Sequence, residues 1–349
     1  MEKLRKLAKR YYFRQVVCCW MIFSMAFILP LRIAMANPLP SALPDGFVLV
    51  EGTGIPGTTG NTMLIQNISN GAIFRWDGGF NIGELSTVDF AFINAGSSVL
   101  NRDVTGNMSE IYGTLLANGN VFIVNPAGVV FGASSSVNVN QLIASSLNIT
   151  NENFIKGRYE FTGSGMGDVA NYGHIEASEG VALIGQKVLN AGVITTGDAG
   201  FVVMTAGDKV LLTQPGSQIV VEMSSVSAQD GEVINEGQIE ADNGRVILAA
   251  GDLFSMAAEI GVSSAKIETG TGRVVQSGDI SADGGSIALT AADEVILTDG
   301  SLTSANGGIN GDGGEIIVFS GGLADFQEGA KIEVKGGTES GDGGFVEIS

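Results

Sequence analysis

Cysteine is nearly missing from this 349-residue chain: the two it has, Cys18 and Cys19, precede Asn37, and the 313 residues from Asn37 onward contain none. A disulfide framework and a cysteine-ligated metal site are therefore excluded from that body. Histidine is almost as scarce. His174 stands alone, so a mechanism built on a histidine dyad has no second member. Bases are few and unevenly placed. Seven of the 18 (Lys3, Arg5, Lys6, Lys9, Arg10, Arg14 and Arg32) precede Asn37 together with one acid, Glu2, leaving 11 bases against 36 acids beyond it, a net charge of −25. A polyanion of that density repels phosphate backbones, which argues against a nucleic-acid partner. Helical periodicity is missing too, with no capped i, i+3, i+4, i+7 apolar pattern after Asn37.

What the chain does have begins with a three-part leader. Residues 1–14 are basic, residues 16–31 are an apolar stretch of 16, and Ala34-Met35-Ala36 is a small-residue cleavage signal before Asn37-Pro38. This is the layout of a secretory signal peptide, handled by a Sec translocon and a signal peptidase. An uncleaved anchor would need roughly 20 apolar residues. A lipid-modified cysteine would need a small residue before it, whereas Val16 and Val17 precede Cys18. The expected product is an exported chain starting at Asn37.

In that body, runs of four to seven β-branched and aliphatic residues alternate with Gly, Asn, Asp and Ser, the pattern of short strands and turns. Two units recur. One runs apolar, Asn, spacer, Gly, spacer, Ile, as in Ala170-Asn171-Tyr172-Gly173-His174-Ile175, and returns at Leu189-Asn190, Ile234-Asn235 and Val275-Gln276. The other opens on glycine before an apolar run, at Gly180, Gly200, Gly244, Gly285, Gly314 and Gly344, with steps of 20, 44, 41, 29 and 30 residues. Steps of one or two coils with variable loops predict an all-β fold, a right-handed parallel β-helix with an N-terminal β cap after a cleaved signal peptide. Each coil becomes stable by stacking on its neighbours. Asn in successive coils is expected to form a hydrogen-bonded ladder along the axis. An antiparallel sandwich or barrel would need frequent two-residue hairpin turns, and such signals are few.

Residues 61–165 resemble the haemagglutination-activity, or secretion, domain of filamentous haemagglutinin-like proteins exported by two-partner secretion. The resemblance rests on an ordered series: Met63 to Ser69, Ile73-Phe-Arg-Trp76, Phe80-Asn81-Ile-Gly83, Val88-Asp-Phe90, Leu100-Asn101-Arg102, Val104-Thr-Gly106, Ser109 to Gly113, Leu116 to Gly132, Leu142 to Ile149, and Phe161. It implies recognition by an outer-membrane β-barrel transporter with periplasmic modules, a secreted or cell-surface location in a Gram-negative type bacterium, and an adhesin or haemagglutinin role for the whole protein, with a host or cell-surface receptor. It also marks Asn125, Pro126 and Gly128 as a transporter-recognition turn, and Trp76, Phe80, Asn81, Asn101 and Arg102 as a cap motif. Two departures stand out. The family's Asn-Pro-Asn-Gly-Ile reads Asn125-Pro126-Ala127-Gly128-Val129, and Asn-Pro-Asn-Leu is absent. The first keeps the turn chemistry, because Pro126 fixes φ and Gly128 is permissive, but removes one side-chain hydrogen-bonding group.

The implied organisation is 1–36 signal peptide, 37–165 cap and secretion domain, 166–290 continuing β-helix, and 291–349 the start of a repeat passenger, with residues 61–161 serving as cap and folding nucleus. The chain stops within a repeat, at Gly344 to Ser349, which suggests a truncated reading frame. No cofactor or metal is expected. His174 falls where Val193, Gln238 and Asp279 stand in other repeats, a solvent-facing slot. The Asp-Gly-Gly turns at Asp283, Asp312 and Asp342 lack the tandem nonapeptide spacing of calcium loops. Asn67, Asn107 and Asn148 head Asn-x-Ser/Thr triplets, which permit glycosylation without requiring it. The competing function is a β-helical polysaccharide lyase or hydrolase, which would need acids and a base converging from adjacent coils; the scattered bases offer no such cluster.

Overall fold

A computed structural model describes residues 37–94, 96–163, 167–213, 220–224, 231–251 and 271–349, and the expected signal peptide lies outside them. Strand formation follows from the apolar runs. In Arg245–Ala250 the side chains of Val246, Leu248 and Ala250 point inward and are fully buried, in the period of two that a strand imposes. The coils between the first and the last described supply all three faces, so the described coils form three stacked parallel faces.

Face one runs from Thr62–Ile68 through Thr87–Phe92 and Thr114–Ala117 to Lys331–Glu333. Face two runs from Ala72–Gly79 through Ser98–Asp103 and Asn120–Val124 to Phe345–Ile348. Face three runs from Ser109–Ile111 through Val129–Phe131, Val169–Asn171, Lys187–Asn190, Gly231–Asn235 and Gly272–Gln276 to Glu294–Leu297 and Leu323–Phe326. The inward rows of all three merge into one apolar core from Met63 to Val318. The parallel β-helix expected from the repeats is the fold, and stacking continues in register past residues 165 and 290.

The expected Asn ladder is present. Asn171, Asn190, Asn235 and Gln276 are fully buried at the end of face three in successive coils. Each amide Nδ2 donates to the next amide oxygen, at 2.8 Å (Asn171 to Asn190), 2.8 Å (Asn190 to Asn235) and 2.9 Å (Asn235 to Gln276). The glycine two residues after each amide is obligatory for a separate reason: a Cβ on Gly192, Gly237 or Gly278 would overlap the carbonyl oxygen of the equivalent glycine in the coil below.

Two features depart from the sequence reading. The cap lies upstream of Asn61. Asp45–Glu51 pairs antiparallel with Ala72–Gly79, and Ile55–Thr59 pairs antiparallel with Thr62–Ile68, so the first coil's open backbone edge is satisfied before winding starts at Thr62. The second is an antiparallel sheet outside the helix, made of Asn148–Ile149, Tyr159–Thr162, Lys209–Thr213 and Val220–Ser224. It leaves the coils at the corner between faces two and three, and with the short helix Asn151–Ile155 it lies on the outer side of face two. There Ile149, Phe154, Phe161, Val210 and Leu212 share a second core with outward-pointing Ile73, Leu100, Phe122, Ile143, Ile184 and Val203. Face two is therefore apolar on both sides, which is why its strands read as continuous hydrophobic runs.

Candidate functional site

The Asn125–Gly128 turn closes the third coil between faces two and three. Asn125 is fully buried. Its Oδ1 accepts the Ala127 N–H at 2.9 Å, and its backbone carbonyl accepts the Gly128 N–H at 2.9 Å, a side-chain turn nested in a backbone turn. Its Nδ2 donates to the Asn107 carbonyl (2.8 Å) and to Ser109 Oγ (2.9 Å) in the coil below. Gly128 has φ +112°, and a Cβ there would approach the Asp168 carbonyl oxygen to 2.6 Å, so side chains are excluded twice over. Only Pro126 of the turn is exposed. The missing Asn side chain at Ala127 thus leaves the buried bonds untouched.

The turn is the upper end of a polar network that sequence reading passed over. Ser109 Oγ donates to Asp103 Oδ2 at 2.9 Å, and the same carboxylate accepts the Phe80 N–H (2.8 Å), the Thr105 N–H (3.0 Å) and the Thr105 hydroxyl (2.7 Å). Asp103 is 1% exposed, and four donors fill the lone-pair sites of a carboxylate. A buried charge held this way keeps three coils in one register. Asp103 closes the strand Ser98–Asp103 directly after Leu100-Asn101-Arg102, and its only local signal is the Thr105 two residues on.

The cap-motif residues separate into two groups. Trp76, Phe80 and Asn101 are fully buried at the N-terminal end of the core. The Trp76 indole N–H donates to Asn101 Oδ1 at 3.1 Å, and Asn101 Nδ2 donates to the Phe122 carbonyl at 3.3 Å. Ring contacts link Phe47 of the cap strand to Trp76 (5.3 Å), Trp76 to Phe80 (5.4 Å) and Phe80 to Phe90 (6.4 Å), so the cap is anchored by aromatic packing. Asn81 Oδ1 accepts the Glu110 N–H at 2.8 Å and ties the first turn to the second coil. Arg102 faces outward instead. Its guanidinium donates to the Ile149 carbonyl (2.6 Å) and Asn151 Oδ1 (2.7 Å), gripping the start of the outer sheet, and burial lowers its pKa. His174 is exposed, level with Val193, Gln238 and Asp279 in later coils. Asp312 spends a carboxylate oxygen on the Asp342 N–H, at 2.8 Å. No cluster of three metal-ligating side chains occurs among the described residues.

These coils, with their cap and buried Asn-Pro turn, match a TPS secretion-domain model over residues 42–297, most of the chain. The chain belongs to the two-partner secretion (TPS) family. As a TPS secretion domain it is 33% identical over 208 residues to a heme/hemopexin-binding protein of Haemophilus influenzae strain Rd, covering 57% of this chain and 23% of that protein. It is 34% identical over 108 residues to a second Haemophilus influenzae heme/hemopexin-binding protein, covering 31% of this chain and 12% of that one. The chain therefore spans less than a quarter of the length of these relatives. In fold it is similar to the crystal structure of the HMW1 secretion domain from Haemophilus influenzae, with a TM-score of 0.60 at 24% identity, covering 87% of this chain and 94% of that one. The TPS secretion domain here is thus part of a secreted two-partner exoprotein.

Proposed function

We propose that this secretion domain, after removal of a signal peptide at residues 1–36, is the export signal of an adhesin or haemagglutinin. On this reading it is recognised by a cognate outer-membrane β-barrel transporter with periplasmic modules. The observation that carries this is the family match ending at Leu297, the last residue of a face-three strand, together with a marked Asn-Pro turn whose Asn125 side chain is wholly consumed inside the folded coil. A transporter reading Asn125 must then do so while the chain is extended, with strand addition supplying affinity. The body has no cysteine to lock it in the periplasm, and its parallel pairing is non-local and slow to form. On this reading residues 37–165 and 166–290, with the stretch that completes the family match at Leu297, form the export unit, and the coils after them belong to the passenger. Stacking of coils outside the cell opposes return. This reading is one of binding and export rather than catalysis; it is supported by the secretion-domain match, and Glu232, an acid lying between bases of two adjacent coils, is engaged in ion pairs with Lys187 and Arg273.

Deleting residues 61–161 while keeping the leader is expected to abolish extracellular protein. Asn125→Ala and Gly128→Val should each lower export well below that of Ala127→Asn, measured as extracellular against periplasmic protein. Equal export of all three variants would remove the turn from the mechanism.

A further inference from the structure

The outer sides of the three faces differ. Face one shows mainly polar residues, such as Asn138, Glu176, Thr195, Glu240 and Ser281. Face two is apolar and covered by the outer sheet. Face three carries an apolar column that no other sheet covers among the described residues. Its outward column over six successive coils reads Val130, Ala170, Leu189, Ile234, Val275, Ile296 in strict register. Ala170 is buried and the other five are partly exposed, and the principal packing contacts of these strands, among the described residues, run to neighbouring strands of the helix itself. Acids end the column at both sides, Glu110 in the coil before and Asp325 in the coil after.

Beside it runs a second column whose charges alternate. Asp168 lies level with Lys187, followed by Glu232, Arg273 and Glu294. Lys187 and Arg273 keep 43% and 46% of their side chains exposed, and Glu232 keeps 20%. Alternation along the axis has a symmetry consequence. A two-fold axis parallel to the strands, placed between the coils of Leu189 and Ile234, reverses the order of coils but keeps each column over its own kind. Leu189 then faces Ile234 of a second copy, Ala170 faces Val275, and Val130 faces Ile296. In the charge column Lys187 faces Glu232 and Asp168 faces Arg273, so opposite signs meet. Only at the rim, where Glu110 faces Asp325, do like charges meet. A two-fold along the helix axis would instead set each coil against itself and lose this match.

We propose that face three is a docking surface for a second copy of this chain, joined antiparallel and face to face across the Val130–Ile296 column. Six coils at the usual strand spacing span about 24 Å, and strands of four residues about 13 Å. That gives roughly 300 Å² a side, well below the ~800 Å² of a standard partner surface, so the dimer is weak and concentration-dependent.

Sedimentation of the exported chain from about 10 μM to about 1 mM is expected to show a monomer–dimer equilibrium. Ile234→Glu, at the column's centre and on the solvent side, should weaken it at least tenfold with the thermal melt unchanged. If that variant melts early, Arg273→Glu on the exposed charge column serves in its place. The body's lack of cysteine gives a second readout: mixing equal amounts of Leu189→Cys and Ile234→Cys should yield mixed disulfide dimer well in excess of the two-to-one ratio over each homodimer that random pairing gives. A monomer throughout, a dimer indifferent to Ile234→Glu and Arg273→Glu, or mixed disulfide at no more than the statistical two-to-one ratio over each homodimer would overturn the proposal.

Discussion

Asn190 shows how much one side chain carries in a stacked fold. Its amide accepts from Asn171 and donates to Asn235, so Asn190→Ala strands two buried groups, each at about 1–3 kcal/mol. Gln276 ends the ladder: Leu297 follows in the next coil, and the Gln276 Nε2 donates to the main-chain carbonyls of Gly278 and Leu302, so Gln276→Leu strands one side-chain amide, that of Asn235. The expected outcome is a loss of stability for Asn190→Ala roughly twice that for Gln276→Leu, measured by denaturant unfolding. These amides were legible in the sequence because their spacing repeats with a following Gly and Ile. Asp103 was not, because nothing in a linear reading brings Phe80, Thr105 and Ser109 to one carboxylate. Asn125 was legible as a turn residue, yet its burial came from the coil beneath.

At the scale of elements, the coil strands announced themselves by apolar runs after glycine. The cap strands and the outer sheet did not. Asp45–Glu51 and Ile55–Thr59 have the same length and turn residues as coil strands, and their antiparallel pairing depends on which edge is open. The outer sheet is spread over segments 148–162 and 209–224, and its partner surface, the outside of face two, exists only once coils stack. Arg102 joins the two parts: it sits in the second coil and holds Ile149 and Asn151, which leave the fourth. Arg102→Ala is expected to speed proteolytic cutting within residues 151–158 several-fold while the strand signal in circular dichroism is kept. Equal cutting rates would show that the apolar contacts of Phe154 and Phe161 suffice to hold the sheet.

At the scale of the molecule, charge sets the pH response. Burial raises the carboxyl pKa of Asp89, Glu110, Asp168 and Glu315 above the ordinary range. For such groups the folded state binds protons more readily than the unfolded, so stability falls as pH rises through the raised values. Glu160 is opposite: its hydrogen bond to Lys209, aided by Arg158, holds it below its usual 4.5. Its contribution is present above that value and lost as pH falls through the lowered one. Melting temperature is therefore expected to climb as pH falls through the range, above the ordinary carboxylate values, where the four raised groups take up protons, and to drop again once pH falls below the ordinary glutamate range and Glu160 is protonated. A flat profile over that span would mean that the buried acids relax towards water.

The strand composition, the coil period, the ladder amides and the turn at Asn125 were determined by sequence alone, because each is a local choice repeated along the chain: a β-branched run, a glycine where a Cβ has no room, an amide able to both donate and accept. Tertiary structure decided the rest. Which strands would cap the first coil, which outer face would be covered, and which would stay apolar and open depend on surfaces assembled from residues tens of positions apart. Those surfaces come into being only when one coil is laid on another.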